Sequence, residues 1–140
     1  METNETKINK VNHIAIAVKD INSAKKNWEQ SLGCNVGKIK ELPEHGVKVL
    51  FISFQNIKIE LIEPLGDNSP IEKFLVKNPK GGIHHICLEV NDINKAKEKI
   101  VKHGTNILGD GSVKTGAHGK PVIFLNPSDF SGTLIELEEG

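Results

Sequence analysis

Near the start of the chain apolar positions alternate with small or polar ones: Ile14, Ile16 and Val18 on one side, His13, Ala15 and Ala17 on the other. That period of two predicts a strand. Ile21, Ala24, Trp28 and Leu32 then recur at three- and four-residue steps, which predicts an amphipathic helix. Asp20 is placed to cap that helix, and Gly33 to take the left-handed position that closes it. Runs rich in β-branched and aromatic residues at 47–54 and 57–63, divided by Gln55-Asn56, predict two further strands. A shorter strand is expected near 36–41.

The pattern then repeats. VNHIAIAVKDINSAKKNWEQSLG, residues 11–33, returns as IHHICLEVNDINKAKEKIVKHG, residues 83–104. His13 aligns with His85, Asp20-Ile21-Asn22 with Asp92-Ile93-Asn94, and Ala24-Lys25 with Ala96-Lys97. Self-similarity of this kind marks duplicated structure. The second copy predicts a strand with Ile86, Leu88 and Val90 opposite His85, Cys87 and Glu89, then a helix through Ile93, Ala96 and Ile100 closed by Gly104. Strands are expected at 122–126 and 133–138, with a shorter one near 107–113. Between the copies, Ser69-Pro70-Ile71-Glu72 has capping-box spacing with proline at the first helical position, predicting a short helix at 71–76 before the linker Asn78-Pro79-Lys80-Gly81-Gly82. The expected fold class is α+β. It consists of one domain over 1–140 with tandem β-α-β-β-β modules at about 11–64 and 83–138, their curved mixed sheet enclosing a metal-containing cavity.

Bulk properties narrow the function by exclusion. Eighteen basic and eighteen acidic side chains balance among 140 residues, so net charge predicts neither a nucleic-acid partner nor an anionic membrane. The polar opening METNETKINK has no apolar leader, and every apolar run is far shorter than the roughly 20 residues of a membrane helix, so a cytoplasmic protein is expected. Cys34 and Cys87 are then expected as reduced, structural thiols.

The alternation also sorts the candidate chemistry. His13 and His85 share their strand faces with small neighbours, and Glu60 and Glu136 occupy corresponding later strands. Two imidazoles and two carboxylates at matched positions in apolar surroundings suit a borderline or hard divalent ion: Co²⁺, Mn²⁺, Ni²⁺ or Zn²⁺. Four protein ligands around a six-coordinate ion leave two positions open for a substrate. His84 points the other way and is not expected to ligate. The Gly116-Ala117-His118-Gly119-Lys120 loop is placed to close over a ligand, with Lys120 meeting an anionic group.

From about Val11 to Glu138 the chain resembles the vicinal-oxygen-chelate superfamily, the glyoxalase and bleomycin-resistance fold, and within it the methylmalonyl-CoA epimerases. The stretches that carry the resemblance are NHIAIAV, LPEHGVKV, IELIEPLGDNSPIEKFL, GGIHHICLEV, GAHGKPVIFLNP and LIELEE. It implies metal ligation by His13, His85 and Glu136, with Glu60 in a fourth position. It also implies proton transfer by Glu44 and Glu136, Co²⁺ as first choice among the ions, a small acyl-CoA substrate and a homodimer. No separate organic cofactor is implied. Some relatives carry His-Pro where this chain has Asn126-Pro127, so no role passes to Asn126. Two competing readings share the fold: a glyoxalase I-like lactoylglutathione lyase, and a metal-free module that sequesters an antibiotic.

Overall fold

The computed structural model describes residues 7–140, which divide into two compact units. The first runs from His13 to His84. The second takes the described residues up to Asn12 together with His85–Gly140. The opening strand, β1 (Ile8–Ala17), therefore contributes to both.

In the first unit β1 leads into α1 (Ile21–Gln30), β2 (Lys40–Leu42), β3 (Val47–Ser53), β4 (Lys58–Pro64) and α2 (Pro70–Lys77). The strand order is β2-β3-β4-β1. β1 and β4 are parallel while β3 is antiparallel to β2 and β4, so the sheet is mixed. Sequence expectation and structure agree at the N-terminal caps, whereas α1 ends on Ser31 in a right-handed conformation and Gly33, expected to close it, takes φ 68° two residues later. The Asp20 side chain accepts from the amides of Asn22 and Ser23 at 3.0 and 3.2 Å, and these bonds hold its carboxyl below the ordinary carboxylate range. Ser69 accepts from the Ile71 amide at 3.2 Å, with Pro70 opening α2 as predicted. Ile21, Leu50, Ile52 and Leu61, with Trp28 packed against them, form the core beneath α1. The opposite face carries its own apolar cluster, in which Ala15, Ala17, Val49 and Ile62 meet Ile71 and Leu75 of α2. Gly81 follows α2 at φ 84°, and a Cβ there would collide with the Ala17 carbonyl oxygen, so the linker closes only with glycine.

The second unit repeats the scheme with β5 (Gly82–Val90), α3 (Ile93–His103), β6 (Lys114–Thr115), β7 (Pro121–Leu125) and β8 (Ile135–Glu139). Its order is β5-β8-β7-β6, again with the first and last strands of the copy parallel and the others antiparallel. Asp92 caps α3, and Gly104 closes it at φ 88°. Val90, Ile93, Ala96, Ile123, Leu125 and Leu137 form its core.

Both short-strand expectations require correction: the one near 36–41 pairs only at Lys40–Leu42, with Val36 held in an isolated bridge to Ile52. The short strand predicted near 107–113 is only an isolated bridge, Ile107 to Leu125, and the paired strand lies later, at Lys114–Thr115. The segment cannot stay extended. Gly109 and Gly111 adopt φ 76° and 81°, while Asp110 folds back to accept from the Ser112 amide and hydroxyl at 2.9 and 2.6 Å. Those bonds and the Lys114 ammonium hold the Asp110 carboxyl far below the ordinary range. Both cysteines are free thiols, and among the described residues no helix is long and apolar enough to cross a membrane.

Candidate functional site

Each unit buries one histidine against one glutamate, in the same way. In the first, β1 places Ala15 opposite Glu60 of β4, so His13, two residues earlier on the same face, reaches the carboxylate: Nε2 to Oε1 is 3.4 Å. In the second, Cys87 lies opposite Glu136 of β8, and His85 Nε2 is 3.2 Å from Glu136 Oε1. His13 is 2 % exposed, Glu60 4 %, His85 7 % and Glu136 7 %. The parallel pairing of first and last strand thus sets both pairs at one register, which is why the sequence repeat carries them together.

A phenylalanine completes each pair. Phe51 of β3 lies opposite Glu60 and meets His13 edge-on, ring centroids 5.7 Å apart at 80°. Phe124 of β7 lies opposite Glu136 and meets His85 at 5.8 Å and 87°. An edge-to-face contact fixes a ring's orientation as well as its depth. Both aromatics are additions to the sequence-derived site. The signal was present, since the two strands align with a Phe in each, but it appears only once the register across each hairpin is known.

The donor chemistry fits a metal. An imidazole nitrogen beside a carboxylate oxygen suits a borderline or hard divalent cation, and burial of a carboxylate in an apolar sheet is costly unless a positive charge meets it. The four ligand candidates therefore sit as two ready-made halves, His13 with Glu60 and His85 with Glu136.

Beyond this shared kernel the histidine-bearing faces differ. In the first unit the next positions are Ala15, Ala17 and Ile62, all buried and apolar. In the second they are Cys87, Glu89 and Glu138. The buried Glu138 carboxylate, 3 % exposed, takes both oxygens to within 2.9 and 3.0 Å of His118 Nδ1, so an Nδ1–H donates to it. Cys87 Sγ lies 3.9 Å from Glu138 Oε2, and Asn12 Nδ2 donates to Glu89 at 3.2 Å. His118 belongs to the glycine-rich loop singled out in the sequence, and its tie to Glu138 brings the tight turn between β6 and β7 back onto β8. Lys120 is exposed.

Glu44 is exposed, in the middle of the one-turn 3₁₀ segment Pro43–His45. Gly46 ends that turn at φ 68° and accepts from the Leu65 amide at 2.8 Å, and a Cβ on it would come within 3.3 Å of Ser69 Cα. The Glu44 turn is thereby anchored to the end of β4 and lies close to the start of α2. His84 is half-buried and meets Phe74 edge-on at 5.2 Å, in keeping with its expected exclusion from the ligand set.

Comparison with known proteins places these features in a family. A profile of the Glyoxalase/Bleomycin resistance protein/Dioxygenase superfamily matches residues 12–124. Ethylmalonyl-CoA/methylmalonyl-CoA epimerase of Cereibacter sphaeroides is 53 % identical over 132 residues, covering 94 % of this chain and 98 % of the relative. Mitochondrial methylmalonyl-CoA epimerase of Homo sapiens is 49 % identical over 94 % of this chain and 74 % of its own length. Among solved structures, methylmalonyl-CoA epimerase in complex with methylmalonyl-CoA and NH4+ superposes with a TM-score of 0.86 at 26 % identity, covering 96 % of each chain.

Proposed function

The chain belongs to the Glyoxalase/Bleomycin resistance protein/Dioxygenase superfamily, and within it we propose that it is an epimerase that interconverts the two configurations of methylmalonyl-CoA. The observation that carries this reading is the duplicated buried pair, histidine against glutamate with a phenylalanine edge on each imidazole, in a chain about half identical to named epimerases. His13, Glu60, His85 and Glu136 are proposed to hold one divalent ion between them. When bound, that ion supplies a Lewis acid that draws developing negative charge onto oxygen.

The chain's own residues carry the proton. Exchange occurs at the carbon between thioester and carboxylate, a carbon acid much weaker than any carboxylic side chain. Inversion requires removal from one face and delivery to the other, which two carboxylates achieve without turning the substrate over. Glu44 and Glu136 take these parts. The exposed, anchored turn of Glu44 suits a group that must meet an incoming ligand, and the burial of Glu136 suits one whose position must not vary. The edge contact of Phe124 on His85 keeps the imidazole beside Glu136 in a single orientation.

The same proposal includes Co²⁺ as first choice of ion, a homodimer and a cytoplasmic setting, all resting on family resemblance. Four buried ligand-type residues at matched positions do not favour a metal-free sequestering module, and the epimerase names of the close relatives do not favour a lactoylglutathione lyase.

The test follows the C2 proton of methylmalonyl-CoA in deuterated water, with and without chelator, beside methylglyoxal with glutathione. Chelator-sensitive deuterium uptake with epimerisation is expected. Turnover of the glutathione adduct in place of the thioester would overturn the reading.

A further inference from the structure

We propose that Lys58 receives the free carboxylate of the substrate and so selects thioesters of 2-carboxylated acids over neutral acyl thioesters, a role that rests on the epimerase reading. One position in the repeat is unequal. Lys58 opens β4 directly opposite His13 of β1 and stands two residues before Glu60. Partners across a parallel pair, and alternate residues of one strand, point to the same side, so Lys58 shares the face of His13 and Glu60. The matching position of the second copy, two residues before Glu136, is Leu134. One half-site is therefore bordered by a cation and the other by an alkyl side chain.

The Lys58 ammonium is held in place without being neutralised. Its Nζ lies 5.6 Å from the centroid of Phe51, within the roughly 6 Å of a cation–π contact, and the Phe51 ring in turn meets His13. An aromatic face orients a cation and leaves its charge intact, whereas a carboxylate would cancel it. Lys48 of β3 shows the contrast, with its ammonium 3.6 Å from Glu63. Among the described residues no carboxylate pairs with Lys58, and Glu60 on the same face is turned to His13 at 3.4 Å. In the proposed ligand set the two glutamates offset the charge of a divalent ion, so an anionic substrate gains net attraction from a further cation. Beyond the pair, Ala15, Ala17 and Ile62 are covered by α2, while Ser53, opposite Lys58 on β3, is exposed. A ligand thus meets His13 and Glu60 from the Lys58 side. The substrate's carboxylate is bonded to the carbon that exchanges its proton, whereas the coenzyme phosphates lie a pantetheine arm away. The carboxylate is therefore the anion that a residue level with His13 can reach.

The test compares methylmalonyl-CoA with propionyl-CoA, the same thioester with hydrogen in place of the carboxylate, as ligands of the full chain in calorimetry. Lys58→Met keeps an apolar stem and removes the charge. It is expected to weaken methylmalonyl-CoA binding at least about tenfold and propionyl-CoA binding less than about threefold. In steady state KM for methylmalonyl-CoA should rise in step with the lost affinity, with kcat lowered no more than about threefold, because the contact is made alike to bound substrate and transition state. Lys58→Arg, which keeps the charge, should bind both thioesters within about threefold of the parent. A purely structural role for Lys58 would move both ligands together, and so would a contact with the coenzyme phosphates. Equal losses for the two thioesters, or methylmalonyl-CoA affinity unaltered in Lys58→Met, would therefore overturn the proposal. A parent chain that binds both thioesters but takes up no deuterium at C2 would overturn the epimerase reading instead, and the ratio of the two affinities would still show whether Lys58 reads the carboxylate.

Discussion

The two copies of the repeat bury the same His–Glu–Phe arrangement and then part company a residue or two farther along the same strands. On the first, Ala15, Ala17 and Ile62 extend the histidine face as an apolar surface, and α2 lies on it with Ile71 and Leu75. On the second, Cys87, Glu89 and Glu138 make that face polar, and no helix lies on it in the core clusters; its charges are met by His118, Asn12 and Lys10 instead. A duplicated scaffold thus keeps one pair register in both copies, while the surroundings specialise. One copy contributes an apolar wall braced by a helix, and the other a network of polar side chains.

The largest expected effect separates the two glutamates. Glu136→Gln should lower turnover about a thousandfold, since Glu136 is assigned both a proton-transfer role and a place beside His85. Glu60→Gln, at a residue proposed only as a ligand, should weaken metal binding about tenfold, read by competition with a chelating dye. Equal losses in both assays would erase the distinction. Exchanging the specialised positions comes next. Ile62→Glu buries a carboxylate in the α2-covered cluster with no counterpart of His118, and should cost about 3 to 5 kcal/mol in urea unfolding. The reverse exchange, Glu138→Ile, should cost no more than about 1 kcal/mol, because the partly exposed His118 ring regains water. Its signature should be faster amide exchange in the 116–119 turn.

Much of this organisation is readable in the chain. Duplication made the strand faces, both aspartate caps and the four ligand candidates legible, and local spacing alone the Ser69 cap, because each depends on residues close in sequence or matched between copies. What escaped depends on pairing across long separations. His118 meets Glu138 only because the β6–β7 turn folds back to β8, and nothing in the local pattern of either segment announces it. The misplaced sixth strand failed differently. Ile107 to Val113 has the apolar content of a strand, but two glycines at positive φ and the Asp110 turn prevail over propensity. Phe51 and Phe124 were in view yet unassigned, since their role follows from register rather than composition.

Smaller effects sharpen the contrast around the helices. Ser69→Ala, removing the cap of α2, the helix between the two copies, should cost about 1 kcal/mol by urea unfolding. The Asp20 carboxyl should titrate below its ordinary value of 3.8, followed by carbon NMR. Because its pKa is lowered in the folded state, its stabilising effect is complete above the unfolded value and fades as pH falls through the folded one. Asp20→Ala should therefore flatten the acid limb of the stability profile and leave stability at neutral pH lower than that of the parent.

The most direct test of two half-sites serving one ion is the metal content of the purified protein and of two variants, one from each copy. About one divalent ion per chain is expected in the parent, and almost none in either His13→Ala or His85→Ala. Two ions per chain in the parent, or a full equivalent retained after loss of either histidine, would mean that the pairs act independently and would contradict the shared site.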